Sequence, residues 1–338
     1  MREERETALT SSTGRARMDA VLRRLIEGCE QALPGRLRSV YVTGSFADGS
    51  GLASSDLDVK LAFRDRFISA DERATAERVV AAVAAAEKER ETDGVELDAE
   101  VADEAELGEG TPPLLRLGGR CVWGEDRLDA LPLMPIERWA RERMHAAYWL
   151  IVNVFGRTAP VTLPLSYPYP SEEFYGYTRR VVRLPDGREE PSTRDLIRVT
   201  GWAATALVAR KGGAYVARKR ECPAAYARYI GDEHALLHED IYHWCRQEWS
   251  YLIPSDVASR ERLRDICTRI LAFENRFLAE YREWALGELL SGDEEAQHAA
   301  HWMLGQVPLA DAAVRAALVA VAQPPSGGDF AAREEEGA

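Results

Sequence analysis

The apolar period of this chain changes once, at Leu131-Pro132-Leu133-Met134-Pro135. Upstream, short runs alternate apolar with polar residues, the pattern of half-buried strands. Downstream, apolar residues recur every three or four positions, the pattern of amphipathic helices. Prolines so closely spaced interrupt either element, so the stretch reads as a boundary. A chain that keeps the two periods in separate halves folds as α+β, a small mixed-sheet module followed by an all-α helical bundle. The length of 338 residues agrees, since roughly 150 residues per domain gives about two domains.

The first half is predicted to run helix, strand, strand, helix, strand. Met18, Val21, Leu22, Leu25, Ile26, Cys29 and Leu33 mark a helix that Pro34-Gly35 closes. Ser39–Thr43 reads as a strand ending at Gly44. Asp56–Phe63 reads as a second, with Asp56, Asp58 and Lys60 on one face. Residues 70–92 form an Ala- and Glu-rich helix. Val95–Val101 is a third strand carrying Glu96, Asp98 and Glu100 on one face, and a short strand is expected near Leu117–Trp123. Helices over 137–155, 195–210, 235–250 and 256–290 make the bundle, with a long Pro- and aromatic-rich loop from Pro160 to Pro191. The expected organisation is a loose tail (1–17), a catalytic module (18–132), a bundle (136–290), and a C-terminal helix with a disordered tail (291–338).

Apolar residues make up 46% of the chain and charged ones 29%, enough to build cores. With 43 Lys and Arg against 56 Asp and Glu, the net charge is −13. That balance excludes wholesale electrostatic binding of nucleic acid or anionic membrane. It leaves a nucleotide bound through metal, or a cationic substrate, open. No apolar run reaches the ~18 residues of a membrane span, and Met1–Ala20 has no apolar signal core. Five cysteines without close pairs read as free thiols in a reducing cytoplasm.

The chemistry concentrates in Val42-Thr43-Gly44-Ser45-Phe46-Ala47-Asp48-Gly49 and Ser54-Ser55-Asp56-Leu57-Asp58-Val59. Gly44 ends a strand and lets backbone approach a ligand. Ser45 opens a short helix, where its hydroxyl and nearby amides suit phosphate oxygens. Strand alternation puts Asp56 and Asp58 on one face, where two carboxylates repel unless a divalent cation lies between them. Mg²⁺ favours such oxygen ligands together with phosphates. A third carboxylate would complete the metal shell or deprotonate an attacking hydroxyl. Asp98 ranks first for that role, with Glu96 and Glu100 as alternatives.

On these residues the chain resembles the nucleotidyltransferase superfamily related to DNA polymerase β. Within it, the chain is most similar to two-domain enzymes of the aminoglycoside 3''-adenylyltransferase type, whose catalytic module is followed by a helical bundle. Gly44, Ser45, Asp56 and Asp58 match the pattern residue by residue, and the third acid maps to Asp98 or a neighbour. Ala47-Asp48-Gly49 stands where many relatives have Ala-Arg-Gly, so that arginine's contact is lost or supplied elsewhere.

The resemblance implies attack of an acceptor hydroxyl on the α-phosphate of a nucleoside triphosphate, with two Mg²⁺ ions and ATP as co-substrate. AMP would be transferred and pyrophosphate released. Gly44, Ser45 and Ser55 would hold the nucleotide with Lys219 of the bundle, Arg218 standing behind it. Asp56, Asp58 and Asp98 would serve as metal ligands. The implied acceptor is a small hydroxylated cation, aminoglycoside-like, with antibiotic resistance as the consequence. Acids beside aromatics suit such a cation: Tyr167, Tyr169, Glu172, Glu173, Phe174 and Tyr175 in the loop, then Asp240, Trp244, Glu248 and Trp249. The alternative is modification of a protein or a tRNA end in a toxin–antitoxin or regulatory pair, although the lack of a long basic stripe disfavours nucleic acid. A non-catalytic nucleotide sensor is a third reading, against which the intact Gly44, Ser45, Asp56 and Asp58 argue.

Overall fold

The computed structural model describes residues 8–92 and 94–322. The C-terminal stretch expected to be disordered, 323–338, lies outside the described residues, as do residues 1–7. The sheet module runs α1 (Ala16–Ala32), β1 (Leu37–Val42), α2 (Gly44–Ala47), β2 (Leu57–Phe63), α3 (Ala70–Lys88), β3 (Leu97–Asp103), α4 (Glu104–Glu109), α5 (Pro113–Arg116) and β4 (Arg120–Gly124). Strand order is β3-β2-β1-β4. β1 is antiparallel to both neighbours, whereas β2 and β3 are parallel, joined by the α3 crossover.

Period two explains how the sheet is covered. Val40, Val42, Val59 and Leu61 face the apolar stripe of α1 and the inner side of α3. Tyr41, Ala62 and Ala102 face the other way, where Leu107, Leu115 and Leu128 cover only part of the sheet. Asp58 and Lys60 alternate with Val59 and Leu61, so they lie on this second, less covered face. Pairing in register sets Asp58 beside Asp98 and Lys60 beside Glu100.

Residues 8–15, expected within a loose tail, are tied to the module instead. Ser12 and Thr13 donate their hydroxyls to Asp19 at 2.5 and 2.6 Å, and the Thr10 amide bonds the Val122 carbonyl at 2.8 Å. The Ser/Thr content that read as loop supplies a hook onto the start of α1.

The helical half comprises α6 (Ile136–Asn153), a hairpin of β5 (Val181–Arg183) and β6 (Glu189–Pro191), α7 (Arg194–Gly212), α8 (Cys222–Tyr229), α9 (Ala235–Asp240), α10 (Val257–Leu290), α11 (Glu294–Gln306) and α12 (Ala312–Ala322). The helix expected over 235–250 is α9 continued by a π-helical stretch, Ile241–Glu248. Phe273, Phe277 and Tyr281 of α10 are fully buried at the centre, each contributing about 1.5–3 kcal/mol of apolar transfer. The bundle does not stop near residue 290, since Ala300, Leu304 and Val314 enter the same core. The long loop is held inside the bundle by a buried network. Glu274 of α10 accepts from Tyr177 and from Arg157, both at 2.6 Å. No helix among the described residues is long and apolar enough to cross a membrane.

Candidate active site

β1 ends in a left-handed turn at Gly44, whose φ is +63°. A Cβ there would overlap the Asp58 carboxylate, so only glycine lets the turn pass so close to β2. Ser45 follows in α2. Its hydroxyl is buried and has no hydrogen-bond partner among the described residues, an acceptor-and-donor group aimed at nothing in the chain.

Asp56 and Asp58 have opposite electrostatics. Burial works to raise Asp56, but the charges of Arg194 and Lys219 outweigh it and hold its pKa below the ordinary carboxylate value. Arg194, at the start of α7, donates to Asp56 at 2.5 Å and to Glu96 at 2.6 Å. Burial, then the negative charge of Asp56, with Asp98 adding to it, pushes Asp58 up to about 7. Asp98 lies open to solvent on the next strand. Enclosure by neighbouring protein, then Glu100 and Asp56, raises its pKa as well.

These acids face a cavity of about 390 Å³ between the sheet and the bundle. Gly44, Ser45, Asp56, Asp58, Glu96 and Asp98 line one wall, and Arg218 and Lys219 line the other. Lys219 meets solvent at the mouth, while the walls that enclose its other sides lower its pKa; Asp56 and Asp58 act in the opposite direction. Arg218 is occupied with Glu221 at 2.9 Å and the Leu117 carbonyl at 2.8 Å, and so anchors the turn that carries Lys219. Next to Ala47-Asp48-Gly49, where the arginine of many relatives is missing, an arginine arrives from the bundle. Arg246 donates to the Ser50 carbonyl at 2.6 Å and lines the cavity.

Other expected residues are not brought in. The Ser55 hydroxyl accepts the Leu52 amide at 3.0 Å inside its own turn and does not line the cavity. Glu100 pairs with Lys60 at 2.7 Å, likewise outside the lining. The acid-and-aromatic cluster is also elsewhere. Glu173 pairs with Arg260, and Asp240 with Arg269 at 2.8 Å. Tyr167 stacks on Tyr175 with ring centroids 4.1 Å apart. Glu173 and Asp240 thus neutralise arginines of α10, and none of the cluster lines the cavity. His238 does line the cavity, but burial drives it down to about 3 against Phe273, so it stays neutral. Sequence reasoning missed Trp139, Arg143, Arg180, Arg194, Arg198, Trp202 and Arg246, all from the bundle side. The available signal was a mirrored pair of four-residue spacings, Trp139 to Arg143 and Arg198 to Trp202, each of which shares a helix face.

The donor chemistry of the Asp56–Asp58 pair fits Mg²⁺. It is all oxygen, burial and then the neighbouring negative charge push one acid toward neutrality, and the unpaired Ser45 hydroxyl stands by for a phosphate. The three-carboxylate shell expected from Asp56, Asp58 and Asp98 is not assembled. Among the described residues no group of three or more His, Cys, Asp or Glu side chains is placed to hold a metal ion. The reason lies in the strands: Asp98 sits on a neighbouring strand and remains solvent-facing.

No family model matches the chain, and no curated protein matches it. Among solved structures, a spectinomycin adenyltransferase from Enterococcus faecialis, crystallised with ATP and spectinomycin, resembles 75% of this chain and 98% of its own, at 11% identity and a TM-score of 0.42. A candidate nucleotidyltransferase from Sulfolobus solfataricus resembles 28% of this chain and 78% of its own, at 25% identity and a TM-score of 0.19. Likenesses this loose assign no role to any residue, and the site is read from its own geometry.

Proposed function

We propose that this chain is a Mg²⁺-dependent nucleotidyltransferase that moves AMP from ATP to a hydroxyl of a small molecule and releases pyrophosphate. The observation that carries this reading is the Asp56–Asp58 pair beside the unpartnered Ser45 hydroxyl, facing a cationic wall across one cavity. In this reading the backbone at Gly44 and the Ser45 hydroxyl hold phosphate oxygens. Lys219 and Arg246 offset the charge of the triphosphate from the bundle side. Asp56 and Asp58 would hold Mg²⁺, which when bound neutralises phosphate charge and polarises the α-phosphoryl group. Asp98 accepts the proton of the acceptor hydroxyl, a role its raised pKa suits. The acceptor oxygen bonds to the α-phosphorus as the bond to the bridging oxygen breaks, and pyrophosphate departs.

The test is release of pyrophosphate from each nucleoside triphosphate with Mg²⁺ and a panel of small hydroxylated acceptors, aminoglycosides included. Turnover that stops in Asp58→Asn supports the reading. The absence of turnover with every acceptor and nucleotide overturns the small-molecule reading. Labelled nucleotide on protein or tRNA in a lysate would move the acceptor to a macromolecule.

A further inference from the structure

The bundle wall of the cavity is cationic, and from Trp139 onward its lining contains no Asp or Glu among the described residues. Most of its charges are already engaged. Arg180 and Arg194 hold Glu96, Arg218 holds Glu221, and Arg246 bonds the Ser50 carbonyl. Beyond Lys219, on which Asp56 and Asp58 act, Arg143 and Arg198 remain. No carboxylate among the described residues lies within ion-pair distance of either. Glu142 is turned to Arg138 and Glu100 to Lys60.

Arg143 is held in an unusual way. Its guanidinium is sandwiched between the rings of Trp139 and Trp202, 3.9 Å from each centroid. With an indole ring against it on two sides, the guanidinium keeps its planar set of N–H donors for a partner in the cavity that it lines. Its Nε is buried and has no hydrogen-bond partner among the described residues. Burial lowers its pKa only to about 10, so it stays charged at neutral pH. A charged group in such a setting calls for an anion to complete it. Arg198, one turn from Trp202 on α7, acts electrostatically on Asp98, the proposed base. The acids that act on these two charges from the bundle and the sheet edge, Glu142 and Glu100 on Arg143 and Asp195 on Arg198, lie outside the cavity lining, so a polycation would meet both arginines with no acid beside them on that wall.

Resting on the nucleotidyltransferase reading above, we infer that the acceptor carries an anionic oxygen group, a carboxylate or a phosphate. The edge of Arg143 receives that group as a bidentate pair, Arg198 supports it, and a hydroxyl of the same molecule is directed to Asp98. The Trp139–Arg143–Trp202 stack is thus the specificity element for the acceptor.

Two measurements test this separately from nucleotide transfer. In the first, pyrophosphate release is followed with hydroxylated acceptors matched by charge: gluconate against sorbitol, glucose 6-phosphate against glucose, and kanamycin as the polycation. Turnover confined to an anionic member is expected, with the acceptor KM raised at least about tenfold in Arg143→Gln and the ATP KM unmoved. The gluconate and glucose 6-phosphate arms distinguish carboxylate from phosphate. Turnover with kanamycin or a neutral sugar at a KM indifferent to Arg143→Gln overturns the inference and leaves nucleotide transfer standing. In the second, gluconate and inorganic phosphate are titrated calorimetrically into the full chain with Mg²⁺ and a non-transferable ATP analogue filling the triphosphate site. Binding lost at least about tenfold in Arg143→Gln supports the anion site even where the first assay shows no turnover. Equal binding, or none, in wild type and variant overturns it. Arg198→Gln is measured beside it, so that misfolding of one variant, read from its thermal melt, leaves a second on which to decide.

Discussion

The sheet module brings five carboxylates to the cavity, and the helical bundle brings six arginines and a lysine, counted among the described residues. The acids sit on or beside rigid strands, where the pleat fixes their spacing and their mutual repulsion is built in. The cations come from helices and turns far apart in sequence, and their long side chains cross the boundary between the halves. Arg194 and Arg180 reach Glu96, and Arg246 reaches the Ser50 carbonyl. The difference teaches that a net charge of −13 describes the molecule's surface but not the polarity of its cleft. Local charge there is set by which faces dock, and the docked face of the bundle is basic.

The comparison is broken most severely by removing an acid. Asp58→Asn is expected to cut pyrophosphate release by at least about 10²–10³-fold. Its melting temperature should hold or rise, because a repelling buried charge is gone. A variant that melts much earlier would show Asp58 to be structural. Next comes Arg194→Gln, which leaves Asp56 and Glu96 without their shared cation. Removing one member of a fully buried pair costs about 3–5 kcal/mol, and Glu96 is exposed, so a loss toward the lower end is expected by chemical denaturation. Unchanged stability would mean that this arginine does not join the halves.

Acid should move the two halves in opposite directions. Burial pushes His145 down to about 4, with the charge of Arg141 adding to it. His238 falls to about 3 through burial and the charge of His234. Between those values and the ordinary histidine value the unfolded chain binds more protons than the folded one. Stability is therefore complete above about pH 6.5 and falls as pH drops toward the folded values, by about 2 kcal/mol per histidine at pH 5. Asp58 has the reverse sign. Its raised pKa makes its contribution complete below the ordinary aspartate value, and that contribution is lost as pH rises through about 7. Denaturation curves across pH 5–8 should show His238→Phe flattening the acid loss and Asp58→Asn flattening the alkaline one. If His238→Phe leaves the acid limb as steep as in wild type, the buried histidine is not its source. The smallest effect belongs to residues outside the cavity. Glu173→Gln and Asp240→Asn should leave kcat/KM within about twofold, as for surface changes away from the site. A loss beyond tenfold in either would place the acceptor in the aromatic loop instead.

Much of the sheet side was legible because its information is local. Gly44, Ser45, Asp56 and Asp58 lie within one turn and the start of one strand, and period two suffices to put the acids on one face. The parallel register of β2 and β3 sets Asp98 beside Asp58. That register also leaves Glu96 at the cavity edge, held by two arginines from the bundle, which no strand pattern foretells. Ser55 was misread because a serine next to an acid looks like a ligand, whereas its hydroxyl closes a turn. The acid-and-aromatic cluster was less legible, since its ion pairs are made across the fold. Composition named residues suited to a cation but not the arginines of α10 that pair with Glu173 and Asp240.

By itself the sequence determined not the β5–β6 hairpin or the short helices α4, α5 and α8, but the main strands of the sheet, the long helices of the bundle, the turn at Gly44 and the paired acids at the start of β2. Those follow from backbone sterics and side-chain period over a few residues. Only the tertiary structure decided what faces the acids. Trp139 and Arg143 on α6, and Arg198 and Trp202 on α7, meet because apolar burial packs those two helices side by side. Their spacing along the chain carries no record of that contact, since close packing, and not sequence distance, sets which side chains share a cavity.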